Sequence, residues 1–230
     1  MDKAVSIPSP AVEARSGARS HRLMHLLMLL ATFCWAGNVV AIKEALDGFQ
    51  PLALTLIRIG GAAVVFAGLF WGWRHRPAIR LTRREWFIMA MVAMTGVTFN
   101  QLFFIAGLAR SSVAHAGLIV ALGPVMVLVI SCLLRLEALT VLKFAGMLIS
   151  FGGVAVLTTG KVGHGSGGHW VGDMILLAGS GVFATYTILM KEIADKYHVL
   201  SLNLAAYAIG TMVMIPFGVS AVSGVRWASI

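Results

Sequence analysis

Long apolar segments follow one another through almost the whole chain, and they constrain its fold more than any other feature. Each is long enough to cross the hydrocarbon core of a bilayer, which takes about 20 residues of helix. Seven such segments lie at 23–45, 51–73, 86–108, 112–134, 139–160, 171–193 and 199–220. Because every backbone polar group in lipid needs an internal partner, these segments must be helices. The sequence therefore predicts an all-α polytopic membrane protein with about seven transmembrane helices, surrounded by the lipid bilayer.

The composition also indicates a chain that is solvated by lipid. Only 12% of its 230 residues are charged and its mean hydropathy is +0.89, whereas about 25% of residues are charged in soluble domains. This excludes a soluble enzyme with a single membrane anchor. A net charge of +9 would suggest nucleic-acid binding in a soluble protein, but cytoplasmic loops of membrane proteins are rich in Lys and Arg. We therefore predict no nucleic-acid partner.

The basic residues fall mainly on one side of the predicted spans. If the tail 1–22 is cytoplasmic, thirteen of the 18 Lys and Arg residues lie inside, four lie outside, and Arg58 lies within the membrane. The side with the excess of Lys and Arg is normally the cytoplasm. We therefore expect a multi-pass protein of the cell (inner) membrane with its amino terminus inside. The tail contains Pro8 and Pro10 among several Ser and Ala residues, a composition typical of disorder.

An internal repeat relates the first and sixth spans at an offset of 148 residues. The charged residues at the ends of the two spans agree in type: Lys43 falls on Lys191, Glu44 on Glu192 and Asp47 on Asp195. Chance similarity explains the apolar matches, but it explains this run of charges less well. Because the copies are five spans apart, they cross the membrane in opposite senses, as in transporters built from inverted repeats.

Six different short motifs lie along the first five predicted spans and the turns between them. They are Cys34-Trp35-Ala36-Gly37-Asn38, Asn100-Gln101, Ser111-Ser112-Val113-Ala114, Gly123-Pro124, Arg135-Leu136-Glu137 and Gly152-Gly153. Each is loose by itself, but together with Lys43 and Arg58 they resemble the EamA family of the drug/metabolite transporter superfamily. The resemblance covers about residues 23–222.

The resemblance implies a bundle of ten helices in two inverted five-helix repeats. On this plan residues 23–160 form the first EamA repeat, 161–170 an external linker and 171–230 an incomplete second repeat. A complete protein would need about 300 residues at about 20 apolar residues per span, so we expect about three spans to be missing. Members of the family are mostly exporters of amino acids and other small metabolites, which work by alternating access. The resemblance therefore implies a secondary transporter rather than an enzyme.

Polar side chains at membrane depth are costly and suggest function by default. Arg58 lies roughly 10 Å from the outer end of its span at 1.5 Å per residue, and polar residues of three other spans reach a similar depth. Trp35 shares a helix face with Asn38, and Tyr186 occupies the position of Asn38 in the second repeat, in the inner half. The candidate substrate-binding residues are Trp35, Asn38, Arg58, Asn100, Gln101, His115 and Tyr186.

These candidates also have structural interpretations. Arg58 could extend its side chain to the outer headgroups, and His115 could be a hydrogen-bonded interfacial histidine. The Asn and Gln residues could bond neighbouring helices, and Trp35 could pack against lipid. Pro124 removes a backbone hydrogen bond in the fourth span and predicts a helix kink, either beside a cavity or purely structural.

Titratable groups at membrane depth bear on how transport would be driven. His115 is the only such group that the sequence places there, so any proton coupling would depend on it. None of the nine Asp and Glu residues is predicted to lie deep in a span. This argues against the export of organic cations, which would need a carboxylate inside the membrane.

Two other functions fit parts of the sequence. A truncated chain could be a non-transporting or regulatory membrane protein. An intramembrane enzyme is less well supported, because His115 with Ser111, Ser112 and Ser131 gives no nucleophile and base at a suitable spacing.

Two further patterns have an ordinary structural interpretation. His164 and His169 lie in a glycine-rich segment that is more typical of a linker than of a metal site, so we predict no metal and no cofactor. Small residues also recur four positions apart, which lets helices approach closely. The pairs are Gly68 and Gly72, Gly117 and Ala121, and Ala206 and Gly210. They favour packing within the chain over a homodimer, which remains possible.

Overall fold

The computed structural model describes residues 10–73, 80–159 and 170–223. These residues form α-helices and one π-helical segment, and no strand occurs among them. The chain divides into two compact units, Met1–Ala41 and Ile42–Ile230. The prediction of an all-α polytopic membrane protein is therefore confirmed.

The helices follow the predicted spans closely. They are α1 (Pro10–Ala45), α2 (Pro51–Gly72), α3 (Arg83–Val92), the π segment (Ala93–Phe99), α4 (Asn100–Ala109), α5 (Val113–Ala121), α6 (Gly123–Leu133), α7 (Val141–Thr159), α8 (Trp170–Ala194) and α9 (Val199–Ser223). The third predicted span thus consists of α3, the π segment and α4, and the fourth consists of α5 and α6.

Local sequence signals set several of the helix starts. Pro51 begins α2, where its missing N–H would have no partner in any case. Thr82 and Glu85 form a capping box at the start of α3, with the Thr82 hydroxyl accepting from the backbone N–H of Glu85. Ser112 caps α5 by accepting from the backbone N–H of His115 at 3.1 Å. These positions are therefore fixed by short-range interactions that the sequence already contains.

The described residues contain five or six of the seven predicted spans. Among the described residues, five helical stretches are long and apolar enough to cross a membrane: Leu23–Ala45, Pro51–Gly72, Arg83–Ala109, Trp170–Ala194 and Val199–Val222. The pair α5 and α6 bends by 42° and adds a sixth if it counts as one span. The predicted span 139–160 contains α7, whose described apolar stretch Val141–Gly153 is too short to pass the same test. The count is therefore five or six.

Some predicted segments lie wholly or partly outside the described residues. Helix α1 starts at Pro10, within the tail 1–22 that the sequence predicts to be disordered, and residues 1–9 of that tail are not described. The linker at 161–169, with His164 and His169, also lies outside the described residues, and Trp170 already begins α8. The disorder of 1–9 and the linker therefore stay predictions.

Within the unit Ile42–Ile230, helices from the two predicted repeats pack against one another. Helix α2 packs on α9, α4 packs on α8, and the π segment contacts both α8 and α9. The buried core between them consists of Ile59, Ile88, Met89, Val92, Ala93, Val97, Ile193, Leu202 and Ala206. Burial of these apolar side chains therefore ties α2 and α3 to the end of α8 and the start of α9.

Small residues allow close packing at one of the three predicted places. A Cβ added at Gly210 would lie 2.8 Å from Val97 Cγ1, so α9 approaches the π segment closely there. At Gly68, Gly72 and Gly117 an added Cβ would meet nothing within 4 Å. The spacing rule therefore succeeded at Ala206 and Gly210, but it did not predict a close approach within the chain at the other two pairs.

Candidate functional site

Arg58 lies on α2, which packs against α9 of the predicted second repeat. Arg58 is half-buried, and it interacts electrostatically with Tyr207 of α9. Tyr207 interacts in the same way with Tyr186 of α8, and its ring lies 5.2 Å from the ring of Phe66, centroid to centroid. We call Arg58, Tyr186 and Tyr207 the central cluster, because they join α2, α8 and α9.

The π segment forms one wall of the central cluster. A Cβ added at Gly96 would lie 2.6 Å from Cε2 of Tyr186, so the ring rests directly on the glycine backbone. Thr95 donates to the carbonyl of Met91 at 2.7 Å, as Ser and Thr hydroxyls often do in helices. The hydroxyl of Thr98 is buried and has no hydrogen-bond partner among the described residues. Segments of π-helix occur frequently at functional sites, and this one lies against a tyrosine that the sequence had singled out.

The central cluster has the chemistry to bind an anionic or zwitterionic small molecule. A guanidinium forms charge-assisted and often bidentate hydrogen bonds with a carboxylate. Tyrosine rings offer apolar faces together with a hydroxyl that can donate or accept a hydrogen bond. A charged group at this depth in a membrane protein is costly unless it faces the bundle interior or a polar cavity. The position of Arg58 between three helices is therefore consistent with a substrate-binding role.

A second polar cluster lies where α4, α5 and α8 meet. His115 Nδ1 lies 2.9 Å from Oδ2 of Asp173, and the Ser111 hydroxyl donates to Oδ1 of the same carboxylate. Ser111 is 1% exposed, His115 is 6% exposed, and the Asp173 side chain is 16% exposed. We call these three residues the Asp173 cluster. Its carboxylate accepts hydrogen bonds from two buried side chains of the predicted first repeat.

The backbone around the Asp173 cluster is packed unusually closely. A Cβ added at Gly172 would lie 2.6 Å from the carbonyl carbon and oxygen of Arg110, and one added at Gly107 would lie 2.7 Å from Leu176 Cγ. Lys43 extends its ammonium to the carbonyl oxygens of Leu108 at 2.8 Å and Ser111 at 2.7 Å. These carbonyls belong to the end of α4 and the turn after it, where a cation is favourable. Glycine packing and the Lys43 cap therefore hold the turn against α8.

The Asp173 cluster contains Ser, His and Asp, but it lacks the arrangement of a hydrolytic triad. In a triad the serine hydroxyl bonds to the histidine that removes its proton. Here the Ser111 hydroxyl bonds to the Asp173 carboxylate instead, and it is almost completely buried. The cluster is therefore suited to holding helices together or to binding a proton.

A third polar cluster lies at the opposite end of α8. Glu85 accepts from Lys196 Nζ at 2.9 Å, and its Oε2 lies 2.9 Å from the Tyr197 hydroxyl. The hydrogen bond to Glu85 raises the pKa of Lys196 above its ordinary value. Arg84 pairs with Glu192 at 2.8 Å, and both side chains are largely exposed. These five residues, which we call the Glu85 cluster, come from segments that the sequence places on the cytoplasmic side.

The structure distributes the predicted site residues over several places. Trp35 is 48% exposed and Asn38 is half-buried, both on α1 within the unit Met1–Ala41. Asn100 and Gln101 are half-buried in the first turn of α4, directly after the π segment. Pro124 lies in the first turn of α6, just after the 42° bend.

Two residues of these clusters were missed by sequence reasoning. Tyr207 interacts electrostatically with both Arg58 and Tyr186. Its apolar span gave no signal for this role, except that the chain contains only three tyrosines. Asp173 lies in the first turn of α8 and pairs with His115, a partner that the sequence did not indicate. Asp173 is an acidic residue just inside the start of the sixth predicted span, and that position was the available signal.

The fold and the clusters together define a helical membrane protein with charged and aromatic side chains between helices, the general class of polytopic transporters. Residues 22–159 match the EamA-like transporter family. Since this match covers more than half of the chain, the chain belongs to the EamA-like transporter family. The resemblance inferred from the sequence motifs is thereby confirmed.

Individual relatives are similar to between 57% and 88% of the chain. An uncharacterized transporter of Archaeoglobus fulgidus is 29% identical over 195 residues, which are 84% of this chain and 66% of that protein. A probable terminal-alkyne amino-acid exporter of Streptantibioticus cattleyicolor is 26% identical over 208 residues, 88% of this chain and 66% of that protein. The uncharacterized inner membrane transporter YhbE of Escherichia coli is 25% identical over 132 residues, 57% of this chain and 41% of that protein. The chain thus spans 66% of the length of the first two relatives.

Proposed function

We propose that the protein is a secondary transporter of the cell membrane that exports small metabolites such as amino acids by alternating access. The observation that carries this proposal is the central cluster, in which half-buried Arg58 of α2 interacts electrostatically with Tyr207 of α9, and Tyr207 interacts in the same way with Tyr186 of α8. Substrate sites of inverted-repeat transporters lie at the interface between the repeats. Helix α2 belongs to the first predicted repeat, whereas α8 and α9 belong to the second.

In this proposal Arg58 binds the substrate carboxylate and the two tyrosine rings pack against the rest of the molecule. A carboxylate would neutralise the half-buried guanidinium through charge-assisted hydrogen bonds. The relative from Streptantibioticus cattleyicolor, which is named a probable amino-acid exporter, supports the same substrate class. Asn100 and Gln101 follow the π segment on the wall of the cluster and could bind further polar groups of the substrate.

The direction of transport depends on the orientation in the membrane. We propose that the amino terminus is cytoplasmic, because thirteen of the 18 Lys and Arg residues then lie inside. The Glu85 cluster would face the cytoplasm and the Asp173 cluster the outside. Proton coupling through His115 and formation of a homodimer also remain proposals.

The test uses everted membrane vesicles, in which export becomes uptake into the vesicle. The protein is produced with any residues encoded beyond Ile230, and the probe is a mixture of labelled L-amino acids supplied to respiring vesicles. We expect uptake above that of vesicles without the protein, abolished by Arg58→Ala and partly retained by Arg58→Lys. Arg110→Ala is the matched control, because Arg110 is exposed and its side chain bonds to its own helix at Ala106.

Three results would overturn the proposal. Uptake that is unaffected by Arg58→Ala at equal membrane abundance would remove Arg58 from the substrate site. No uptake by an abundant, folded protein would instead favour the non-transporting alternative. Accumulation of labelled tetraphenylphosphonium in place of amino acids would show that the substrate class is cationic.

A further inference from the structure

Asp173 joins elements from the two predicted repeats at one end of the bundle. Ser111 and His115 belong to the turn between α4 and α5 and to the first turn of α5, whereas Asp173 lies in the first turn of α8. Alternating access requires the repeats to separate at one end while they close at the other. The hydrogen bonds from Ser111 and His115 to Asp173 must therefore break whenever this end opens.

The hydrogen-bond geometry assigns roles to the two ring nitrogens of His115. Nδ1 faces Oδ2 of Asp173 at 2.9 Å, and because an ionised carboxylate only accepts, Nδ1 is the donor. In the neutral ring Nε2 is then the basic nitrogen. A proton added at Nε2 gives an imidazolium, and its bond to Asp173 becomes charge-assisted at both partners, about twice as strong as a neutral bond. Protonation therefore tightens the tie between α5 and α8.

Among the described residues, few charged side chains lie on the elements packed against this pair, and residues 160–169, just before α8, lie outside them. Lys43 reaches the Ser111 carbonyl at 2.7 Å, and Arg110 precedes Ser111 in the same turn. Apart from His115 itself, α4, α5 and α6 contain no charged or titratable side chain other than Cys132, which lies near the far end of α6. Lys143 of α7 is bound to Glu137, and the next charged residue of α8 is Lys191, about 27 Å along the helix.

These charges decide how the pair responds to a proton. Asp173 carries a negative charge, and Lys43, whose ammonium binds the Ser111 carbonyl at 2.7 Å, carries a positive charge in the same region. A proton on His115 adds one positive charge that Lys43 and Arg110 repel, but the carboxylate at 2.9 Å is the nearest charge and is shielded from water. Asp173 therefore stabilises the charge of a buried His115 imidazolium. It does so only while α5 and α8 remain in contact, that is, while this end of the bundle is closed.

We propose that His115, held by Asp173, binds a proton from the outer compartment, and that this proton keeps the outer end of the bundle closed. The proposal rests on the alternating access and orientation argued above. The proton passes from outside water to Nε2 and returns to outside water when the end opens. Histidine is the side chain that changes charge between about pH 5 and pH 8. Acid outside therefore favours the closed end, and a more alkaline outside favours opening.

The experiment measures opening rather than transport. In a protein with Cys34→Ser and Cys132→Ser, a reporter cysteine is introduced by Ala116→Cys, at a position that is 0% exposed and next to His115. A membrane-impermeant methanethiosulfonate is added from outside, and the labelling rate is divided by that of Ala114→Cys, an exposed position in the same turn. The ratio removes the effect of pH on thiol reactivity itself.

We expect this ratio to rise roughly fivefold to tenfold from about pH 5 to about pH 8, the gain of a charge-assisted over a neutral hydrogen bond. His115→Gln and Asp173→Asn should make the ratio independent of pH. His198→Gln is the matched control and should keep the pH dependence, because His198 is exposed in the turn between α8 and α9 and packs on Trp73 at 5.5 Å between ring centroids.

Each result decides between this proposal and the transport proposal. A flat ratio in the protein that retains His115 would overturn the proton site, even where a substituted protein fails to fold. A pH dependence that survives His115→Gln would do the same. A pH-dependent ratio in a protein that moves no amino acid would support the proton site and count against export. If the protein exports amino acids but the labelling ratio does not depend on pH, the transport proposal would be supported and the proton site at His115 would be overturned.

Discussion

The two ends of α8 hold their neighbours in different ways. Near its start, Asp173 accepts hydrogen bonds from two buried side chains, and Gly172 lies against the backbone of Arg110 in the turn between α4 and α5. Near its end, Glu192 pairs with Arg84 in an exposed ion pair, and Lys196 reaches Glu85 from a half-exposed position. The Asp173 cluster is thus built from close backbone packing and buried polar groups, whereas in the Glu85 cluster one buried carboxylate is surrounded by long side chains that are in contact with water.

This difference predicts unequal sensitivity to change. Buried donors that lose their acceptor keep the full cost of desolvation, and a tightly packed backbone cannot move to accept an added methyl group. Exposed pairs are screened by water and contribute little. We therefore expect the Asp173 cluster to tolerate substitution poorly, and the exposed members of the Glu85 cluster, Arg84, Glu192 and Lys196, to tolerate it well.

Gly172→Ala should have the largest effect. The added Cβ would lie 2.6 Å from backbone atoms of Arg110 and 2.8 Å from the carbonyl oxygen of Gly107. Because backbone cannot retreat as a flexible side chain can, α8 and the α4–α5 turn must separate, and we expect a cost above the usual range of about 1–3 kcal/mol for overpacking. The higher helix propensity of Ala returns only about 1 kcal/mol. Thermal unfolding in detergent measures the net loss. Gly117→Ala, where the Cβ meets nothing within 4 Å, should be neutral or stabilising, and an equal loss there would contradict the role of close packing.

Asp173→Ala should have the second largest effect. It removes the acceptor of Ser111 and His115, and we expect a loss of about 1–3 kcal/mol in the free energy of unfolding. Asp195→Ala is the matched control, because Asp195 is an exposed aspartate near the other end of α8. If the two substitutions lowered the melting temperature equally, the buried cluster would be no more important than the exposed end.

Alkaline pH should have the smallest effect, and it should act at the Glu85 cluster. Glu85 raises the pKa of Lys196 above its ordinary 10.5, so the stabilisation by this pair is fully present below pH 10.5 and is lost as the pH rises through the raised value. The difference in melting temperature between the unsubstituted protein and Lys196→Met should therefore shrink above pH 10.5. Lys191→Met, at an exposed lysine of the same end, should differ little from the unsubstituted protein at any pH. A difference for Lys196→Met that persists unchanged would show that the packing of its stem, not its charge, matters.

Much of the fold was predictable because its determinants are local. Apolar run length located the spans, and Pro51, Thr82 and Ser112 began helices as their chemistry requires. The 42° bend between α5 and α6 divides one predicted span, so the described residues contain five spans or, if the bent pair counts as one span, six. The π segment was not predicted, since a single wide turn leaves no distinctive pattern in an apolar sequence.

The candidate sites were only half predictable. Arg58, Tyr186 and His115 stood out because polar side chains are rare at membrane depth. Their partners did not, because Tyr207 and Asp173 lie on other helices far along the chain. The sequence predicted that polar residues of four spans lie at a similar depth in the membrane. It gave no information on which of these side chains contact one another.

The sequence by itself determined that this chain is helical, crosses the membrane several times and carries motifs of the EamA-like transporter family. Those properties depend on the length of apolar runs, on capping residues and on short motifs, all of which act within a few turns of helix. Only the tertiary structure decided that Arg58 interacts electrostatically with Tyr207. It also decided that Asp173 accepts a hydrogen bond from His115, which lies 58 positions earlier in the chain. Such pairs depend on how helices pack, and that is set by shape and burial across the whole bundle.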